Sequence, residues 1–210
     1  EVAPSPSPEP EDEPFTAEDF IERVTDSLPE FQRFEDFESL LPDTMDVSDI
    51  VEQTEKIEGL QGVMNLLAIM GLDVAKLEQL SEQFRNNNLR DKNRSFTAEF
   101  KQFWSQKIGN RDKVEVQVEF ERHGAEKPET AGTSYLSFWI VENGKQLRPK
   151  QRSKGLRWFL SFYLQLKASS VRSEDKKDLI LLIDEPAGSL HAKAQEDVLK
   201  VFETRLIGPV

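Results

Sequence analysis

The chain of 210 residues has no cysteine and only two histidines, His123 and His191. The first absence excludes disulfide frameworks, thiolate zinc sites and cysteine nucleophiles. The second leaves no room for an HExxH zinc motif. Long apolar runs are missing too: the longest, such as that around Leu179 to Ile183, fall far short of the roughly 20 residues a membrane span needs. The N-terminus is acidic where a secretory signal is basic, so a cytoplasmic chain with no membrane partner is expected. It opens at Glu1 rather than at methionine, which suggests a processed product or a piece of a longer parent.

The apolar fraction of 37% suffices for one sizeable core. The net charge of -12 is unevenly placed: residues 1–60 hold 19 acids against 3 bases, and the remainder is slightly basic. Between Asn143 and Ser173 there is no acid at all, while Lys145, Arg148, Lys150, Arg152, Lys154, Arg157, Lys167 and Arg172 are basic. Such a stretch suits a phosphate-bearing partner, nucleic acid included. It equally suits a solvated face that balances the acidic front.

Four regions follow from composition and periodicity. Residues 1–14 carry five prolines and five acids and read as a disordered linker. In residues 15–46, Thr16 and Asp19 start a short amphipathic helix whose face is Phe20, Ile21, Val24 and Leu28, and Pro29 stops it. Phe31, Phe34, Phe37 and Leu40 then recur every three residues between prolines, a pattern open to strand, loop or helix. Residues 47–110 read as a helical insertion. One face runs from Leu60 to Ala68 and ends at Gly71, a second from a cap at Asp73 through Leu77, Leu80 and Phe84, and a third is striped by Phe96, Phe100, Phe103 and Trp104. These helices suit core packing, or an arm that meets a partner.

In residues 111–210, Val114, Val116, Val118 and Phe120 alternate with polar residues as in a half-buried strand. Tyr135 to Val141 reads as its antiparallel mate, ended by the Asn143-Gly144 turn. Gly155 to Ala168 is a strongly apolar helix, Leu179 to Ile183 a fully buried strand, and Ala192 to Leu206 an amphipathic helix. A continuous apolar strand between helices predicts a parallel sheet covered on both faces, hence a mixed α/β fold. His123, beside a hairpin loop, reads as solvated, and Trp104, Trp139 and Trp158 read as core aromatics.

The sharpest chemical feature is the strand's exit into Asp184-Glu185-Pro186. A rigid strand tip can hold Asp184 toward Mg2+ and Glu185 toward an attacking water. The structural alternative is two carboxylates capping a turn. Upstream, Gln151-Arg152-Ser153-Lys154-Gly155 stands directly before a helix. The N–H groups at that end, a serine hydroxyl and a glycine make an anion site. Downstream, Gly188-Ser189-Leu190-His191 is a tight polar loop before the last helix.

Ser-x-Gly opening a helix, an apolar strand into Asp-Glu-Pro and Ser-Leu-His before a helix, in that order, resemble the second half of an ABC-type ATPase head. Arg152 to Gly155 with Arg157-Trp158-Phe159, and Ile183 to Gln195, look most like the OLD-family ATPases and related AAA-type proteins of phage defence. The likeness is close from about Gln146 to Glu203 and loose before it. It implies the signature and Walker B half of a P-loop head with a helical subdomain and a strand pair, ATP and Mg2+ as ligands, and a second head as partner. Arg152, Ser153, Lys154 and Gly155 then match the signature that reaches nucleotide held by the opposite head. Asp184 matches the metal-binding Walker B acid and Glu185 the catalytic base. Gly188, Ser189, Leu190 and His191 match the D-loop.

The departures carry equal weight. No G-x-x-x-x-G-K-[ST] occurs, nor anything matching a switch histidine or a Toprim nuclease. Alone, such a half lacks the groups that cradle the α- and β-phosphates, so hydrolysis needs a P-loop lobe from a longer chain or a partner. The expected function is an ATP-driven clamp acting on nucleic acid or against phage. The alternative is a non-enzymatic interaction or dimerisation module.

Overall fold

The computed structural model describes residues 16–34, 40–53, 57–104, 114–126, 128–142, 144–172, 179–183, 190 and 192–205. The elements, in chain order, are α1 (Ala17–Ser27), β1 (Glu30–Phe34), β2 (Thr44–Asp46), α2 (Val47–Glu52), α3 (Leu60–Met70), α4 (Val74–Gln79) and α5 (Glu82–Phe103). Then come β3 (Val114–Arg122), β4 (Ser134–Glu142), β5 (Lys145–Leu147), α6 (Lys154–Arg172), β6 (Leu179–Ile183) and α7 (Ala192–Arg205). The result is a mixed α/β fold with an antiparallel sheet and, apart from it, a parallel strand pair.

The centre is α6, whose residues from Trp158 to Leu166 are all buried. Its aromatics form two pairs at i,i+4 spacing, which places each pair on one face. Phe159 and Tyr163 meet α5: Phe100 lies 6.0 Å from Phe159 and 5.4 Å from Tyr163, ring centre to ring centre. Trp158 and Phe162 face the other way, toward Phe34 of β1 at 5.6 and 5.5 Å, and Phe162 meets Phe202 of α7 at 5.3 Å. A helix apolar all round must sit between layers, and this one separates the helices α3 and α5 from the parallel strands.

The antiparallel sheet has the order β2-β4-β3, with β5 also on β4. Val116 stands opposite Ile140 and Phe120 opposite Leu136. The alternation reads through: Val114, Val116, Val118 and Phe120 are buried and the residues between them are not. As an edge strand, β3 is a hazard unless its free N–H and C=O groups are met. Asn93 and Thr97 of α5 meet them. The Asn93 amide donates to the Val118 carbonyl at 3.0 Å and accepts from its N–H at 2.9 Å. The Thr97 hydroxyl does the same for Val116, at 3.2 Å both ways. The fit is geometric: four helical residues rise about 6 Å, close to the roughly 6.8 Å between alternate strand residues.

Much of residues 47–110, where described, packs on the core. The face of Val63, Leu66, Leu67 and Met70 is core, and α3 ends as expected at Gly71, whose φ is 60°. Gly59 is required differently: a Cβ there would lie 2.7 Å from the Leu40 carbonyl oxygen. Two expectations need correction, and one open reading is decided. The second helical face is split, since α4 ends before Leu80 and α5 begins after Ser81, leaving Leu80 and Phe84 exposed. The ambiguous aromatic stretch contains a strand, β1, parallel to β6 with Phe31 opposite Ile180 and Phe34 opposite Ile183. Finally, β6 is not fully buried: Leu181 and Ile183 pack on the core, but Ile180 and Leu182 are 40% and 50% exposed.

Thr16 and Asp19 form the expected reciprocal cap of α1, with bonds of 2.7 and 3.1 Å. The Thr16 hydroxyl, and then its backbone N–H, hold the Asp19 carboxyl below its ordinary value. None of the α1 side chains is buried.

The edge pins lead to a stability prediction. Thr97→Val keeps the shape but leaves the Val116 N–H and C=O without partners, so unfolding free energy should fall by about 1–3 kcal/mol. Urea titration measures it, and an unchanged midpoint would show that the hydroxyl is not what satisfies the edge.

Candidate functional site

The segment that leads into α6 is fixed before the helix begins. Pro149–Gln151 forms a single 3-10 turn, and Gln151 accepts from the Arg148 N–H at 2.8 Å. Asp43, beside β2, anchors it twice: its carbonyl accepts from the Arg148 guanidinium at 3.1 Å and its carboxylate from the Lys150 N–H at 3.0 Å. Ser153 then caps the helix. Its hydroxyl accepts from the Leu156 N–H at 3.3 Å and its carbonyl from that of Arg157 at 3.1 Å. Ser153 and Lys154 are exposed and Gly155 is half-buried. By helix geometry the N–H groups of Lys154 and Gly155 have no acceptor within α6 and point outward from its end.

The two arginines of this segment behave differently from the lysine. Arg152 turns away from the exposed cap and pairs with Glu142 at 2.6 Å, both side chains largely buried at 13% and 16% exposure. The resemblance implies Arg152 as a phosphate ligand; in the structure its charge is met by the carboxylate that ends β4. Arg157 is half-buried, and its Nε is buried without a hydrogen-bond partner, as is that of Arg152. Both guanidinium groups border a small cavity of about 10 Å³ walled by Leu41, Ile140, Pro149, Leu156 and Leu160, room for about one water.

The orientation of α6 against the parallel strands can be read from three contacts. Gln165 donates to the Arg33 carbonyl at 3.2 Å, while Phe34, one residue on, meets Phe162 and Trp158. The strand thus advances as the helix recedes. The N-terminus of α6 and the C-terminal ends of β1 and β6 consequently lie toward the same end of the molecule. Ser153 lies roughly 8–14 Å farther along the helix axis than the contacts with Phe34.

Asp184, Glu185, Gly188, Ser189 and His191 lie outside the described residues, so the expected Walker B pair and most of the D-loop have no geometry here. Leu190 is described and buried, and its carbonyl accepts from the Gln195 amide at 3.3 Å. Buried Ala194, Val198 and Val201 then hold α7 to the core. Among the described residues no three of His, Asp and Glu come together to hold a metal.

Sequence reasoning missed an organised polar face on the antiparallel sheet. Glu121 accepts from the Tyr135 hydroxyl at 2.7 Å and from the hydroxyl of Ser137, and Glu119 accepts from the Trp139 indole at 2.9 Å. Arg148 lies 3.4 Å over the Trp139 ring. Trp139 therefore belongs to this face and not to the core, unlike Trp158. His123 is not simply solvated: it bonds Asp46 at 2.8 Å and stacks on Tyr135 with ring centres 4.4 Å apart. The legible signal was the cross-strand register, which sets Glu121 opposite Tyr135. Beside this face, α5 and β3 border an open groove of about 750 Å³ lined by Arg90, Arg94, Glu119 and Glu121. Both of those carboxylates already have donors.

No known protein family's sequence profile matches the chain, and no solved structure matches it. The chain is similar to the uncharacterized protein MJECL43 of Methanocaldococcus jannaschii, 26% identical over 141 residues, which are 64% of this chain and 32% of that protein. The match thus spans about a third of that relative's length. No helix among the described residues is long and apolar enough to cross a membrane.

Two predictions test the geometry. A double-mutant cycle of Glu142→Gln and Arg152→Gln, followed by urea unfolding, should give a coupling of about 1–3 kcal/mol, because the pair is largely withdrawn from water. Additive effects would mean that the pair does not form. The bond to Glu121, with burial second, raises the Tyr135 hydroxyl above its ordinary value of 10.0. A raised folded value means stability is intact below pH ~10 and is lost as pH climbs through the folded value. Glu121→Gln should move the phenolate absorbance transition to lower pH; an unmoved transition contradicts the assignment.

Proposed function

We propose that this chain is the signature half of an ABC-type ATPase head of the OLD class, working with a P-loop lobe and a second head, and driving an activity directed at nucleic acid or against phage. The observation that carries this reading is the end of α6. Ser153 caps the helix while remaining exposed, Lys154 is exposed beside it, and Arg157 borders the first turn with its Nε unbonded among the described residues. That combination presents N–H groups, a hydroxyl and positive charge to an anion from outside the chain.

The position of that end relative to the strands adds support. Ser153 lies roughly 8–14 Å beyond the Phe34 contacts, while β6 leads directly into Asp184-Glu185. In this reading Ser153, Lys154 and Gly155 meet the γ-phosphate of ATP held opposite. Asp184 holds Mg2+ on its own side, Glu185 takes the proton of the attacking water, and Gly188 to His191 line the seam between heads. Arg152, engaged by Glu142, braces the loop that carries Ser153.

A non-enzymatic dimerisation module is the second reading. It is favoured by the exposed apolar side chains of α1, β1 and β6, which are unusual on a surface without a partner.

The test separates the two. In the full-length protein, Glu185→Gln should leave ATP binding intact, hold the closed dimer and lower turnover by at least 10²–10³-fold, the scale of a lost general base. Ser153→Arg, at an exposed position, should leave the fold unchanged and prevent closure. Turnover retained in Glu185→Gln, or closure retained in Ser153→Arg, contradicts the ATPase reading.

A further inference from the structure

Two apolar faces of this chain have no cover among the described residues. On α1, Phe20, Ile21, Val24 and Leu28 are 40–62% exposed. On the outer side of the parallel pair, Phe31, Ile180 and Leu182 are 62%, 40% and 50% exposed, brought together by the register of Phe31 with Ile180. Parallel strands are stable when helices cover both faces, and only the inner face here rests on the core, through Phe34, Leu181 and Ile183. One face is a helical stripe and the other a sheet surface. Each is the kind of surface the other lacks.

We propose that a second copy of this chain supplies the cover by reciprocal exchange, α1 of each copy lying on the β1–β6 face of the other. The link between helix and strand favours exchange over closure within one chain. Only Leu28 and Pro29 join α1 to β1. Leu28 is extended, with φ -71° and ψ 138°, and a following proline disfavours the helical backbone that a tight reversal needs. In the structure α1 does not fold back onto its own chain, since none of its side chains is buried, and a two-fold exchange buries both faces on both copies.

The area is of the right size. Seven large apolar side chains at these exposures leave on the order of 600 Å² open, approaching the roughly 800 Å² per partner of a standard interface. Glu18, Glu22 and Asp26 line the rest of α1 with acid and keep that side in water. The exchange needs no nucleotide, so it stands apart from the ATPase reading.

The lack of cysteine makes the test clean. Ile21→Cys and Leu182→Cys are introduced into separate preparations, mixed, and treated with a short bismaleimide. The expected product is a covalent dimer containing one chain of each kind. Ile21→Asp should weaken the dimer at least tenfold in sedimentation equilibrium while leaving the far-UV circular dichroism unchanged, because α1 buries no side chain of its own chain. The double variant Ile21→Cys/Leu182→Cys gives the opposing result its chance. Cross-linking only within single chains, or a monomer at every concentration with no cross-link, overturns the proposal.

Discussion

The fold depends on α6 being enclosed from both sides by aromatic contacts. Phe159 and Tyr163 lock it to α5, and Trp158 and Phe162 lock it to β1 and α7. Packed rings of this kind contribute large buried area and resist rotation, so the helix has one position and one rotation. What is left open is its N-terminal end. The position of Ser153 is therefore a consequence of core packing a few residues downstream, and the site is only as rigid as that packing.

The antiparallel sheet serves the same end from the other side. Its free edge is satisfied by Asn93 and Thr97, and its far end carries Glu142, which pins Arg152. Asp43 ties the turn at Pro149 to the segment before β2. The loop bearing Ser153 is thus held from three directions by polar contacts that a packed core alone could not provide. Among the described residues, the Nε atoms of Arg152 and Arg157 are buried in this arrangement without a hydrogen-bond partner.

Local pattern made part of this legible. The two-residue period of β3, the Thr16 cap, the glycine stop at Gly71 and the apolar helix after Ser153 each arise from neighbouring residues, so each could be read in advance. What could not be read depends on partners distant in sequence. Glu30–Phe34 is a strand because it pairs with Leu179–Ile183, about 150 residues on, and nothing local distinguishes it from a loop. The continuous apolar run of β6 implied two covered faces, but only the side of Leu181 and Ile183 packs on the core, while Ile180 and Leu182 stay exposed. Leu80 and Phe84 misled because they kept the helical period across a break at Ser81. In the candidate site, the exposed cap at Ser153 was legible from its residue types, and the turn of Arg152 toward Glu142 was not, since nothing in the nine intervening residues specifies it. The Asp184-Glu185 tip remains a reading of sequence alone.

The central claim is that the α6 N-terminus receives a phosphate across an interface. Hydrogen exchange at the amides of Lys154 and Gly155 tests it most directly, in the full-length protein with and without a non-hydrolysable ATP analogue. The account predicts that both amides slow when nucleotide binds, and that the slowing disappears on dilution to monomer. Bound nucleotide with exchange at these two amides unchanged would contradict it.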